Sequence, residues 1–311
     1  MNIKNLLIAT VAGAIMFSGM VIPTFALGSS YTENFESFPS GSIDGHDGWS
    51  MFGNYDVAIV GNAYGYSSLF ASQSLRISDA VTHDSFGDQT FAKALADAAG
   101  EGGQSHFEAQ FDIASVMQDV QPGMHISISP DRGDGSRMSY LRFEDDTYGI
   151  NVFFDDVQGT SNPAYFNETQ IAKNLSRAVP LRVKISMDFI PGPSNDVVKI
   201  WIDGVLKITG TSWENYYRYD SKVSNEKTPR IVKTLLFRES GQANLSDFRK
   251  GQGYLIDNLS LSSGPIVVAS PTNISQCKNN GWKVFNNPAF KNQGTCVSYI
   301  QSNIQFDKRP E

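Results

Sequence analysis

The stretch His106-Phe-Glu-Ala-Gln-Phe-Asp-Ile113 alternates polar and apolar residues with a period of two. In an extended chain this period places the apolar side chains, from Phe107 to Ile113, on one face. One apolar face and one polar face are typical of an antiparallel sheet that covers a core on one side only. The stretch therefore predicts a β-strand of a layered sheet structure.

The same alternation recurs from about Tyr31 to Leu261. Asp203-Gly204 separates two such runs and is a strong signal for a tight hairpin. Only Phe91 to Ala99, which precedes Gly100, has the pattern of a short helix. Many short strands and almost no helix predict an all-β fold, a two-sheet antiparallel jelly-roll sandwich.

The sandwich is expected over residues 27–263, with Trp49 and Trp201 in its core. At Ser263-Gly-Pro265 the composition changes. Residues 264–275 form a predicted stiff linker, because prolines bracket small and β-branched residues there. The predicted appendage, 276–311, contains the two cysteines of the chain, Cys277 and Cys296, which most simply form one disulfide in an oxidising compartment. A disulfide that closes a loop of that size stabilises the folded state by about 3 kcal/mol, because it restricts the unfolded chain.

The first residues have the pattern of an export signal. Lys4 supplies a positive charge, and an apolar run extends from Leu6 to Ile22. Pro23 and the small residues up to Ala26 follow, so residues 1–26 are a predicted signal peptide that is cleaved after Ala26. A membrane anchor is the disfavoured alternative, since the run ends without a charged flank. The mature chain is expected to be secreted, extracellular or at the cell surface, with no membrane insertion after cleavage.

Composition limits the partners. The chain has 311 residues, and its formal net charge is −7. An acidic chain is a poor partner for nucleic acid or an anionic membrane surface, because both repel it. A neutral or weakly charged ligand, such as a glycan, is easier to accommodate.

Short motifs recur along the sandwich segment: Phe35-Glu-Ser-Phe38, Gly45-x-Asp-Gly-Trp49, Ser74-Leu-Arg-Ile-Ser78, Phe86-Gly-Asp-Gln89 and Ile256-Asp-Asn-Leu259. Together they resemble the concanavalin A-like lectin/glucanase superfamily, and most closely its LamG-like bacterial secreted members. The resemblance covers nearly all of residues 31–262. It implies a jelly-roll fold but no single function, since this fold carries lectins, glycoside hydrolases and polysaccharide lyases. The tail also resembles a short C-terminal motif of many bacterial exported proteins.

Catalytic members of that superfamily that hydrolyse β-glucans carry Glu-x-Asp-x-x-Glu on one strand. The nearest match here is Glu108-Ala-Gln-Phe-Asp112, which lacks the second Glu. Glu108 and Asp112 share a strand face, so they are either an unfamiliar acid pair or two solvated surface residues. Two acid clusters, Glu144-Asp145-Asp146 and Asp155-Asp156, stand at predicted strand ends. They are either solvated loops or ligands for calcium or sugar hydroxyls.

The strongest binding feature is Thr211-Ser-Trp-Glu-Asn-Tyr-Tyr-Arg-Tyr219. Flat rings beside polar groups suit the apolar faces of sugars, so Trp213, Tyr216, Tyr217 and Tyr219 are candidate ligand-binding residues in a loop. Packing of the same rings on the sandwich edge is the alternative.

A structural calcium ion is a further prediction. In related jelly rolls, such an ion often ties the first strand to the last. Glu36 and Asp257 occupy comparable places and supply the oxygen ligands that calcium prefers. Asp257 also suits a hydrogen bond to a turn.

Three functional hypotheses follow. The leading one is a secreted, non-catalytic protein that binds a neutral polysaccharide. The second is a glycoside hydrolase or polysaccharide lyase of the same fold, and the third is a structural surface or matrix protein whose tail makes the functional contact.

Overall fold

A computed structural model describes residues 28–53, 55–62, 66, 69–78, 88–224, 229–239, 251–266, 270–285, 288 and 290–306. The predicted signal peptide lies outside these residues, so export and the exact domain boundaries stay predictions. No helix among the described residues is long and apolar enough to span a membrane.

Two antiparallel sheets form the body of the protein, which confirms the predicted sandwich. The back sheet has the order β14-β13-β12-β7-β17-β4-β3, with β1 also paired to β17. Its strands are β1 Ser30–Glu33, β3 Val57–Gly61, β4 Gln73–Ile77, β7 His106–Ser115, β12 Leu181–Asp188, β13 Val197–Ile202, β14 Val205–Gly210 and β17 Tyr254–Gly264.

The front sheet has the order β11-β10-β9-β8-β16-β5-β2. A short pair, β6 Ala99–Gly100 and β15 Ile231–Val232, lies beside the sandwich. The strands of the front sheet are β2 Ser50–Phe52, β5 Gln89–Phe91, β8 His125–Asp131, β9 Tyr140–Asp146, β10 Gly149–Val157, β11 Phe166–Leu175 and β16 Thr234–Glu239.

The core lies between the two sheets and is filled by the apolar faces of their strands. Phe111 of the back sheet meets Phe143 of the front sheet with ring centroids 6.5 Å apart. Trp49 is buried, as predicted, and stacks on Phe237 at 5.9 Å. Trp201 was wrongly placed in the core: its ring lies on the outer face of the back sheet, where Lys184 Nζ is 5.2 Å from its centroid.

The Asp203-Gly204 hairpin is confirmed. Both residues have positive φ, 51° and 74°, as a two-residue turn between twisted strands requires. The predicted helix over Phe91–Ala99 is wrong. Phe91 closes strand β5, and the residues after it send backbone N–H groups across the chain, with Ala92 N donating to Leu235 O and Leu95 N to Lys233 O. A helix would need those donors for its own ladder.

Within the described ranges, two α-helices lie outside the sheets, α1 Glu214–Tyr219 and α2 Gln293–Phe306. Helix α2 belongs to the C-terminal appendage, together with two 3₁₀ turns at Ile274–Cys277 and Gly281–Val284. The predicted disulfide joins Cys277 to Cys296.

Candidate functional site

The two acids of the alternative catalytic pair lie on the outer face of the back sheet, in separate ion pairs. Glu108 contacts Lys184 Nζ at 2.6 Å. Asp112 is fully buried and accepts two bonds from Arg182, at 2.8 and 2.9 Å. Asn258 Nδ2 donates to the same carboxylate at 2.9 Å. Because protein donors occupy Asp112, this geometry gives the pair no access to a substrate.

The candidate calcium ligands are bonded to protein donors. Glu36 accepts from the Ser72 hydroxyl and from Gln73 N, and Asp257 accepts from Ser74 Oγ at 3.0 Å. Burial is the main cause that raises the pKa of Asp257 to about 6. Among the described residues, no three His, Cys, Asp or Glu side chains are arranged to hold a metal. The calcium ion stays a prediction.

The aromatic run is not the exposed loop that its sequence predicted. It forms helix α1 and the residue before it, and Trp213 and Tyr217 are only 6% and 7% exposed. Trp213 Nε1 donates to Asp155 Oδ1 at 2.9 Å, and the Tyr217 hydroxyl donates to Arg137 O at 2.8 Å. These two rings are held edge-on in the packing, so their faces are not open for stacking. Tyr216 and Tyr219 are half-buried.

An exposed ring beside helix α1 comes from strand β11. Phe166, the first residue of β11, is 40% exposed. Its centroid lies 4.8 Å from that of Trp213 and 5.1 Å from that of Tyr216. Trp213 therefore supports an aromatic surface that Phe166 and Tyr216 present.

This surface adjoins a row of polar side chains on the outer face of the front sheet. In the strand register, Tyr140 of β9 lies opposite Asp155 of β10, and Asp155 lies opposite Glu168 of β11. Directly opposed residues project on the same face, with Cβ atoms about 5 Å apart. The three side chains therefore form one row, with Phe166 beside its end.

Arg137 lies at the other end of this row. Its guanidinium carbon is 5.6 Å from the Tyr140 ring centroid and 5.3 Å from that of Trp213. Within the described residues the guanidinium makes no hydrogen bond and no ion pair. Burial lowers the pKa of Arg137, which shows that its charge is partly removed from water. A desolvated guanidinium normally has hydrogen-bond partners, because it costs free energy to leave its five N–H donors without them.

Unpaired acceptors lie on the neighbouring strand. Ser129 and Asp131 project from the same face of β8, and both are fully buried. Ser129 Oγ and Asp131 Oδ2 have no hydrogen-bond partner in the part of the chain that the structure describes. Asp131 pairs with Arg137 in an isolated bridge, so their side chains share a face. We call Ser129, Asp131, Arg137, Tyr140 and Asp155, with Phe166 and Glu168, the front-sheet site.

Carboxyl groups outnumber arginines around the row, since Asp131, Glu144, Asp155 and Glu168 lie near Arg137 and Arg142. Arg142 contacts Glu168 at 2.9 Å and Glu144 at 2.6 Å. Asp155 is 3% exposed, and burial is the main cause that raises its pKa to about 7. Glu168 and Asp156 raise it further, whereas the Trp213 hydrogen bond lowers it. The site therefore offers no net positive charge to an anionic ligand.

We expect Asp155→Asn to flatten the pH dependence of stability between about pH 4 and 7. In the native state Asp155 keeps its proton to about pH 7, whereas in the unfolded state it loses it near pH 4. The native state thus binds more protons, so its stability falls as pH rises through this window, by up to ~1.4 kcal/mol per pH unit. Urea unfolding of both proteins at pH 4.5, 5.5 and 6.5 measures this. If the free energies of unfolding of the two proteins changed in parallel with pH, the prediction would be wrong.

No protein-family model and no curated protein matches the chain. Similar solved structures include a mutant of the alginate lyase Aly36B in complex with alginate trisaccharide, with a TM-score of 0.48 and 15% identity over 76% of this chain and 99% of that one. They also include an endo-β-1,4-glucuronan lyase of the fungus Trichoderma reesei, with a TM-score of 0.44 and 13% identity over 76% of this chain and 95% of that one. Peanut lectin has a TM-score of 0.38 and 14% identity over 76% of this chain and 98% of its own. These likenesses concern sandwich architecture and assign no activity.

Sequence reasoning missed most of the front-sheet site. It assigned Asp155 and Asp156 to a strand end near a loop, but both lie within β10. It also gave no role to Arg137, Tyr140 or Phe166. These residues lie within 29 positions of one another in the sequence, but they belong to different strands or loops. The usable signal was alternation: polar residues at every second position of β8 and β9 mark a continuous polar outer face.

Proposed function

We propose that this protein is a non-catalytic carbohydrate-binding protein that recognises a neutral polysaccharide at the front-sheet site. One observation carries the proposal: the half-exposed Arg137 guanidinium, which makes no hydrogen bond and no ion pair among the described residues, lies at one end of the polar row, and the aromatic surface of Phe166 and Tyr216 lies at the other. A sugar hydroxyl both donates and accepts, so it can accept from the guanidinium and donate to the partly exposed oxygens of Tyr140 and Glu168.

The surroundings support a sugar. The exposed ring of Phe166 next to Tyr216 suits the apolar face of a pyranose. Glu168 is fixed by Arg142 and keeps part of its carboxylate exposed at the rim. Because carboxyl groups outnumber arginines at the site, a neutral glycan fits better than a polyanion. The predicted signal peptide supports a location outside the cell.

The direct test is binding of the full chain to a panel of neutral polysaccharides, measured by affinity electrophoresis and then by titration calorimetry. We expect retardation by at least one member of the panel. A panel broad in linkage and sugar type that gives no retardation at any member would refute the proposal.

Phe166→Ala is expected to weaken sugar binding about 2–10-fold, since one ring–sugar contact is worth about 0.5–1.5 kcal/mol. The matched control is Phe52→Ala, which removes another exposed ring from the front sheet, on strand β2. Titration calorimetry of the two variants should separate them. Equal affinities for Phe166→Ala and the wild-type chain would remove Phe166 from the site.

A second candidate is a glycoside hydrolase, favoured by Asp155 and Glu168. They face each other across β10 and β11, and burial gives Asp155 a raised pKa while Glu168 is bound to a guanidinium. A carboxyl group with a raised pKa beside a second carboxyl group is the usual arrangement of acid and nucleophile in such enzymes. Against this, Asp155 is bonded to Trp213 and almost fully buried. Release of reducing ends that is lost in both Asp155→Asn and Glu168→Gln would favour the hydrolase.

A further inference from the structure

The C-terminal appendage is a small unit with its own core. The Cys277–Cys296 disulfide, with Cα atoms 5.7 Å apart, is packed with Phe285 and Ile300, and all four residues are buried. Helix α2 and the two 3₁₀ turns contact one another around this core. A fixed local structure of this kind can present surface side chains in a defined arrangement.

The charge of the appendage is opposite to that of the whole chain. Residues 270–306 contain Lys278, Lys283 and Lys291 and no Asp, Glu, Arg or His, whereas the complete chain has a net charge of −7. The last residues, 307–311, carry two acidic and two basic side chains and so add no net charge. All three lysines are exposed. A short, disulfide-closed segment of an acidic protein therefore has a net positive charge.

All three lysines belong to one compact unit. A unit of this length has a radius of gyration of roughly 9 Å. Gly281 N donates to Lys278 O at 2.8 Å and Lys283 N to Asn280 O at 3.0 Å, so hydrogen-bonded turns connect Lys278 to Lys283. An extended anionic polymer is longer than this unit, so it can contact lysines at different positions on it.

Aromatic rings accompany these charges. Trp282, Phe290 and Tyr299 are half-buried against the appendage core, and Lys283 Nζ lies 5.6 Å from the Trp282 ring centroid. Half-exposed rings offer stacking surfaces to the apolar faces of sugars, and lysine offers a flexible point charge. Carboxylate groups spaced along a sugar chain match this combination.

We propose that the appendage binds an acidic polysaccharide, through its three lysines and the rings beside them. This function is separate from neutral-sugar binding at the front-sheet site. Double-stranded DNA is a poorer match, because one charge per ~1.7 Å of helix axis meets strong repulsion from the acidic sandwich. The protein would then connect a neutral glycan on one part with an acidic glycan on another.

The test uses the full chain with polygalacturonate as the probe, and dextran and duplex DNA as comparison ligands. The variant is Lys278→Gln/Lys283→Gln/Lys291→Gln. The matched control, Lys173→Gln/Lys207→Gln/Lys222→Gln, removes three exposed lysines from the sandwich and leaves the net charge the same as in the variant. Both should keep the disulfide and the melting temperature of the wild-type chain.

We expect wild-type binding to polygalacturonate that weakens as salt rises, about a tenfold loss in the appendage variant, and no comparable loss in the control. Binding of neutral glycans should be the same in all three, which separates this proposal from the front-sheet site. Equal losses in variant and control, absent wild-type binding, or tighter binding to DNA than to polygalacturonate would each overturn it.

Discussion

Phe237→Ala is expected to lower the free energy of unfolding by about 3–5 kcal/mol. Phe237 lies in β16, in the middle of the front sheet, and is fully buried. Its ring stacks on Trp49 with centroids 5.9 Å apart, so alanine would leave a cavity between the sheets that the paired strands cannot close. For a domain of this size, such a loss is a large share of the total stability.

Phe52→Ala is the matched control, because Phe52 also lies in the front sheet but is 56% exposed. We expect this substitution to lower the free energy of unfolding by less than about 1 kcal/mol, since substitutions of exposed residues generally have small effects on stability. Urea unfolding at fixed pH measures both. Equal losses for the two variants would mean that the core is not where these strands place it.

Arg137→Met is expected to weaken binding of a neutral glycan about 10–100-fold. Hydrogen bonds to a charged group contribute about 1.5–3 kcal/mol, and the guanidinium has no protein partner within the described residues to compete for them. Methionine keeps an unbranched stem against the Tyr140 and Trp213 rings, on which the guanidinium now lies. The variant should therefore fold normally and lose affinity selectively.

Arg230→Met is the control for a lost arginine charge. Arg230 forms an ion pair with Glu101 at 2.9 Å, and that carboxylate is half-exposed on a loop outside the front-sheet site. Titration calorimetry should show wild-type affinity for this control. An unchanged affinity of Arg137→Met, or an equal loss in both variants, would contradict the proposed role of Arg137.

The architecture followed from the sequence because alternation is a local property. Phe107, Ala109, Phe111 and Ile113 face inward because consecutive side chains of a strand project to opposite sides. The Asp203-Gly204 turn was equally local, since both residues must adopt positive φ. Phe91–Ala99 was predicted wrongly because its backbone partners, around Leu235, are more than a hundred residues away.

The front-sheet site could not be predicted in the same way, because it is formed by contacts between residues far apart in the sequence. The Trp213–Tyr219 segment has the composition of a binding loop, but Asp155 and the backbone of Arg137 bind two of its polar ring atoms and draw the rings inward. Trp201 shows the opposite error, since a large apolar residue in a strand was assigned to the core but lies on the outer face. Pairing of Tyr140 with Asp155 needs the register of β9 and β10, which alternation alone does not specify.

Glycan binding at the front-sheet site is tested most directly by the side-chain N–H signals of the tryptophans in a ¹⁵N-labelled sample titrated with a neutral oligosaccharide that binds. The Trp213 indole N–H is bonded to Asp155 inside the front-sheet site, whereas Trp201 lies on the back sheet and Trp282 in the appendage. We predict that the Trp213 signal shifts with the binding isotherm while those of Trp201 and Trp282 stay in place. A shift of Trp201 or Trp282 with no change at Trp213 would place the sugar elsewhere and contradict the account.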